Sequence, residues 1–153
     1  MRTLYLECNA GVSGDMLLGA LADLLDNPSE IKQMIESAGI PGIEIKVFTK
    51  EVNHINGNKV EVLVHGHPEG EHHGHSHSHR TLVDVLDVIN GLKLPDTVKQ
   101  HAMKIYEDIA KAESEVHHES VGEVHFHEVG MLDAIVDIVG VCLLIHKLAP
   151  DIV

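Results

Sequence analysis

Residues 65–80 read HGHPEGEHHGHSHSHR, and none of these side chains can build a core. The fold must therefore be assembled from the segments on either side, with this stretch as a mobile, low-complexity loop joining them. It carries His65, His67, His72, His73, His75, His77 and His79, half of the chain's 14 histidines. Imidazole suits nickel, zinc, copper and iron, and a pliable tract can wrap a metal with little strain. The plainer reading is a solvated linker. The tract alone does not choose among metals.

The flanks are rich enough to fold. Apolar residues make up 44% of the 153, but aromatics only 3% and Trp is absent, so the core is expected to be aliphatic. The length suits one ordinary domain or two very small ones. Formal charge is 11 − 24 = −13 with histidine neutral. That excess opposes a nucleic-acid backbone or an anionic membrane as partner and suits cations. Cys8 and Cys142 lie far apart in apolar surroundings and are read as reduced core residues. The first residues are interrupted too early for a signal peptide, and no apolar run reaches membrane-spanning length, so a soluble cytoplasmic protein is expected.

Residues 3–8 read as a short buried strand, followed by a glycine-punctuated turn with Ser13 as N-cap. Residues 14–25 form a helix apolar nearly all round. Asn27-Pro28-Ser29-Glu30 opens a second helix with a buried stripe of Ile31, Met34, Ile35 and Ala38. Alternation over 43–49 and 60–64, with Asn56-Gly57 between, predicts a hairpin. Thr81 caps a helix that Gly91 stops, with Leu82, Val85, Leu86 and Ile89 inward. Pro95-Asp96 starts a longer helix whose stripe is read as Val98, Ala102, Ile105, Ile109, Ala112 and Val116. Residues 124–130 read as a short strand or extended turn, 131–147 as a final helix, and 151–153 as the start of another strand. The fold class is α/β in the α+β sense: a small mixed sheet including the hairpin, packed by about five helices.

Four groups can carry chemistry beyond the tract. In an extended His125-Phe126-His127-Glu128, the two imidazoles project to one side and Glu128 to the other. That is half of a metal site, or merely two histidines on an exposed edge. Asp133 and Asp137 share one face of an otherwise aliphatic helix, where a carboxylate without a partner costs on the order of several kcal/mol. Glu113 and His117, four apart, can share a metal or a hydrogen bond, or form an ordinary surface pair. The turn from Glu7 to Asp15, with Asn9, Gly11, Ser13 and Gly14, presents a helix N-terminus to an anion. It matches no phosphate-loop spacing, and Glu7 and Asp15 favour a cation there.

The segments LYLECNAGVSGDMLLGAL (4–21), HSHSHRTLVDV closing the tract, and AESEVHHESVGEVHFHEVGMLDAIVDIVG (112–140) occur in an order that resembles the nickel-insertion proteins of the nickel-pincer cofactor pathway. The resemblance covers essentially the whole chain. It implies a lyase-class nickel chelatase that inserts the metal into a pyridinium mononucleotide bearing two thiocarboxylates. The product is the cofactor of lactate racemase, whose apoenzyme becomes a possible partner. It also implies CTP hydrolysis with Mn or Mg in a C-terminal part beyond residue 153, leaving 1–153 as an N-terminal domain that binds nickel without completing the reaction. A homo-oligomer is expected. Many relatives carry Asp and a Phe-Ser pair where this chain has Glu7, Asn9 and Ala10, which weakens a direct ligand role at position 7.

The resulting reading has loop histidines gathering nickel and an ordered site of His125, His127, Glu128 and Asp137 positioning it, with Asp133, Glu113, His117, Asp15 and Glu7 as further donors. The rival from another class is a nickel store or metallochaperone that uses the tract alone. A metal-dependent hydrolase ranks last, because no nucleophile or basic phosphate cluster accompanies the acids.

Overall fold

The computed structural model describes residues 1–68, 80–126 and 129–153. Five helices accompany two small antiparallel sheets among these residues. Helix α1 (Gly14–Leu25) and helix α2 (Pro28–Ser37) come first. Strands β1 (Ile43–Val52), β2 (Ile55–Val64) and β3 (His67–Pro68) form one sheet in that order. Strand β4 (Arg80–Thr81) pairs with β5 (His125–Phe126) in the second. Helices α3 (Leu82–Gly91) and α4 (Asp96–His117) lie between β4 and β5 in sequence, and α5 (Leu132–Leu148) follows.

Local signals explain most boundaries. The Asn27 side chain accepts from the Glu30 amide at 3.2 Å, with Pro28 in the first turn of α2. Thr81 and Asp84 form a reciprocal capping box on α3. Ser13 takes the N-cap position of α1 but makes no side-chain cap; its hydroxyl donates to Asp15 instead.

The core is aliphatic as expected, with Leu18, Leu21, Ile31, Ile35, Ile45, Val60, Val85, Ile89 and Leu144 buried. Each such side chain contributes about 1.5–3 kcal/mol when fully withdrawn from water. Tyr106 and Phe126 are the aromatic exceptions, both essentially inaccessible and tilted against each other at a centroid distance of 5.8 Å.

Several sequence expectations need correction. The hairpin turns at Asn53-His54, not at Asn56-Gly57. Both turn residues have positive φ (52° and 63°), the twist that matches paired strands, and Asn56-Gly57 lies in β2 opposite Glu51 and Lys50. The segment 3–8 is neither a full strand nor buried. It makes one parallel bridge, Thr3 to Ile152, with Leu4 N donating to Ile152 O at 2.9 Å. A strand needs a neighbour, and the chain beside it is the short run 151–152. Tyr5 is left 78% exposed, and Cys8 is exposed rather than in the core. Cys142 is buried, and burial pushes its thiol up to about 11.

Helix α1 is not buried all round, since Met16 and Leu24 face solvent. The inner stripe of α4 is Val98, Ala102, Tyr106 and Ala110, while Ile105 and Val116 face outward. Steps of four from Val98 reach Tyr106, and its hydroxyl can be buried because it donates to Val129 O at 2.9 Å.

Candidate metal centre

Strand β5 is the centre of the arrangement. Its pairing with β4 sets Thr81 opposite His125 and Arg80 opposite Phe126. Phe126 is buried and His125 exposed, the alternation expected of an extended pair. The chain leaving the histidine tract at residue 80 therefore runs directly beside His125. Asp84 lies close enough that the charges of Arg80 and His125 help lower its carboxyl, although the Thr81 amide and hydroxyl are the larger causes.

Helix α5 supplies the acids. Asp133 accepts from the Ala134 amide at 2.9 Å in the first turn. Asp137 lies one turn further on, half-buried, with its Oδ1 shielded from solvent. Both carboxylates reach Tyr106 electrostatically. Burial is the main cause that pushes the Tyr106 phenol upward, and Asp133 and Asp137 add to it. Two carboxylates thus act on this region, opposed by the charge of Arg80.

The Glu7–Asp15 turn meets the same helix. Gly14 packs so closely on Asp137 that a Cβ there would lie 2.6 Å from the Asp137 carboxylate. Asp15 follows at once, half-buried. Gly11 has φ +81 and closes the turn with its amide on the Cys8 carbonyl at 2.9 Å. Glu7 is exposed and accepts from Asn9 Nδ2 at 3.1 Å.

Glu113 and His117 pair with each other at 3.2 Å. They continue the α4 stripe of Tyr106 and Ala110, with Glu113 about 10 Å beyond Tyr106 along the helix. His65 stacks over Gly42, and His67 begins β3. His127, Glu128, His72, His73, His75, His77 and His79 lie outside the described residues. Among the described residues, no group of three His, Cys, Asp or Glu side chains is gathered for a metal ion.

Two residues at this centre were missed by sequence reasoning, Tyr106 and Arg80. The four-residue register with Ala102 and Ala110 was the signal that pointed to Tyr106. Arg80 had none beyond ending the tract; its Nη1 donates to Gly130 O at 2.6 Å.

A family model described as nickel insertion protein matches residues 4–153. The pyridinium-3,5-bisthiocarboxylic acid mononucleotide nickel insertion protein of Acetivibrio thermocellus is 42% identical over 154 residues, 99% of this chain and 37% of that protein. The protein of the same name from Lactiplantibacillus plantarum is 43% identical over 165 residues, covering 99% and 39%. That of Geobacillus kaustophilus is 37% identical over 152 residues, covering 99% and 37%. The chain thus spans well under half the length of these relatives. No solved structure matches it significantly.

Proposed function

The chain belongs to the nickel insertion protein family, and from that premise we propose that it gathers nickel and positions it for insertion into a pyridinium mononucleotide bearing two thiocarboxylates. The observation that carries this reading is the pairing of β4 with β5, which joins the exit of the histidine tract to the strand holding His125. The acids of α5 and the Gly14 turn converge nearby.

The proposed sequence has two stages. The tract histidines His65, His67, His72, His73, His75, His77 and His79 collect the ion. It then passes to an ordered site of His125, His127, Glu128 and Asp137, with Asp133 close by and Glu113, His117, Asp15 and Glu7 as peripheral donors. The turn carrying Asn9, Gly11, Ser13 and Gly14 offers the N-terminus of α1 to the anionic substrate, with the Gly11 amide itself taken by the Cys8 carbonyl. The two thiocarboxylate sulfurs of the substrate then replace the imidazole and carboxylate ligands. CTP with Mn or Mg is assigned to a C-terminal part beyond residue 153. A cytoplasmic setting, a homo-oligomeric state and delivery to a lactate racemase-type apoenzyme complete the proposal.

Deleting residues 65–79 tests it by nickel titration calorimetry. The insertion reading expects one tight site to survive the deletion and to disappear when His125 and His127 become Ala. A storage protein relying on the tract alone would lose all nickel binding on deletion, and that result ends the proposal.

A further inference from the structure

The backbone on the C-terminal side of the proposed histidine ligands is held from two directions. Tyr106 Oη donates to Val129 O at 2.9 Å, and Arg80 Nη1 donates to Gly130 O at 2.6 Å. Gly130 folds back on Phe126: a Cβ there would sit 2.8 Å from Phe126 Cβ and 3.2 Å from its carbonyl oxygen. Arg80 also pairs with Phe126 across the β4–β5 ladder. Its main chain therefore holds Phe126 and its side chain holds Gly130. The chain has only two Tyr and two Phe. Tyr5 and Phe48 are exposed, while the other two are buried and meet here.

A phenylalanine would fill the same space, so packing alone does not call for the hydroxyl. Burying a hydroxyl costs free energy unless it finds a partner, and this one finds a carbonyl directly before α5. Three turns of chain are thereby linked: β5 with His125, the Val129–Gly130 corner, and the first turn of α5 with Asp133. The hydroxyl is committed as a donor to the Val129 carbonyl, so it acts on the backbone rather than as a ligand.

We propose that Tyr106 and Arg80 are positioning residues for the nickel site, acting through the Val129 and Gly130 carbonyls to fix His125 relative to Asp133 and Asp137. The proposal rests on the reading that His125 and the α5 acids hold nickel. Groups that orient ligands without touching the metal typically change metal affinity by about 10- to 100-fold when removed.

The test uses the 153-residue chain with His72, His73, His75, His77 and His79 changed to Ser, so that the ordered site is read with five of the seven tract histidines removed. Tyr106→Phe keeps the ring against Phe126 and removes only the donor. Arg80→Met keeps the stem, and Arg80→Lys restores a cationic donor. Nickel affinity and the ligand-field absorption spectrum are recorded well below each variant's Tm. Tyr106→Phe and Arg80→Met are each expected to raise Kd at least about tenfold and to shift the ligand-field bands, with Arg80→Lys recovering part of the affinity. Wild-type Kd and spectrum in either folded variant overturns the proposal for that residue. Should Tyr106→Phe not fold, the Arg80 pair still decides the clamp. A His125→Ala control that binds as tightly as wild type rejects the underlying site instead, whatever the clamp variants do.

Discussion

Gly14, the first residue of α1, rests directly against Asp137 in the second turn of α5: a methyl group at position 14 would lie 2.6 Å from Asp137 Cβ and 2.6 Å from Oδ2. The two sequence motifs that flank the histidine tract thus touch through a residue with no side chain. Gly14→Ala should push α1 and α5 apart. Overpacking costs about 1–3 kcal/mol, against less than about 1 kcal/mol gained in helix propensity near a terminus. A net loss of about 1–2 kcal/mol in urea denaturation is expected, with weakened nickel binding as Asp137 is displaced. Gly91→Ala is the control. A methyl group at position 91 would meet nothing within 4 Å, and the residue ends α3, so unchanged or slightly raised stability is expected.

Asp137 and Asp133 are separable. Asp137 has one oxygen withdrawn from solvent, whereas Asp133 is engaged with the Ala134 amide in the first turn. Asp137→Asn keeps the shape and removes the charge. It is expected to reduce nickel affinity at least about tenfold, with a smaller loss for Asp133→Asn. Calorimetric titration on the tract-deleted chain measures both, and equal affinities in wild type and Asp137→Asn would strike Asp137 from the ligand set.

Acid stability has a nameable contributor. Glu36 Oε1 accepts from the Ile45 amide at 3.0 Å and lies 2.9 Å from Lys32 Nζ, tying α2 to β1. The Ile45 amide, opposed by burial and assisted by Lys32, holds this carboxyl below its ordinary value of 4.5. Its folded-state pKa is thus below the unfolded one, so the unfolded chain binds the proton more readily. The stabilisation is complete above about pH 4.5 and is lost as pH falls through the lowered folded value. Glu36→Gln is expected to lower stability by about 1 kcal/mol at neutral pH, discounted for its partial exposure, and to flatten the decline between about pH 5 and 3. Urea midpoints across that range are the measurement, and parallel acid limbs in the two proteins would contradict the assignment.

Helices were the legible part of the sequence because their signals are local. The Asn27-Pro28 start, the Thr81–Asp84 box and the Gly91 stop lie within a few residues of what they control. Residues 3–8 failed because a strand is defined by a neighbour, and alternation says nothing about whether one is present. The α4 stripe failed for a different reason. Ile105 is more apolar than Tyr106, yet Tyr106 is the one buried, since a carbonyl 23 residues away satisfies its hydroxyl. The candidate acids and histidines were visible as residue types in unusual surroundings. The contacts Gly14 against Asp137 and Thr81 opposite His125 were not, because each joins residues more than 40 apart in sequence.

The hairpin turn offers a prediction independent of the metal. Asn53 and His54 both sit at positive φ between strands in perfect two-residue register, Val52 opposite Ile55. Asparagine tolerates that conformation and glycine prefers it, while histidine carries a Cβ that is strained there. His54 also lies 3.3 Å from Glu51 at the surface, where an exposed pair contributes little. Relief of the backbone strain therefore dominates. His54→Gly creates the Asn-Gly pair favoured in such turns and is expected to stabilise the fold by about 0.5–1 kcal/mol. The His54 side chain is 98% exposed and lies outside the proposed ligand set, so nickel affinity should not move. Thermal unfolding and nickel titration of the same variant check both halves; a destabilised His54→Gly protein would show that the turn is not held in this conformation.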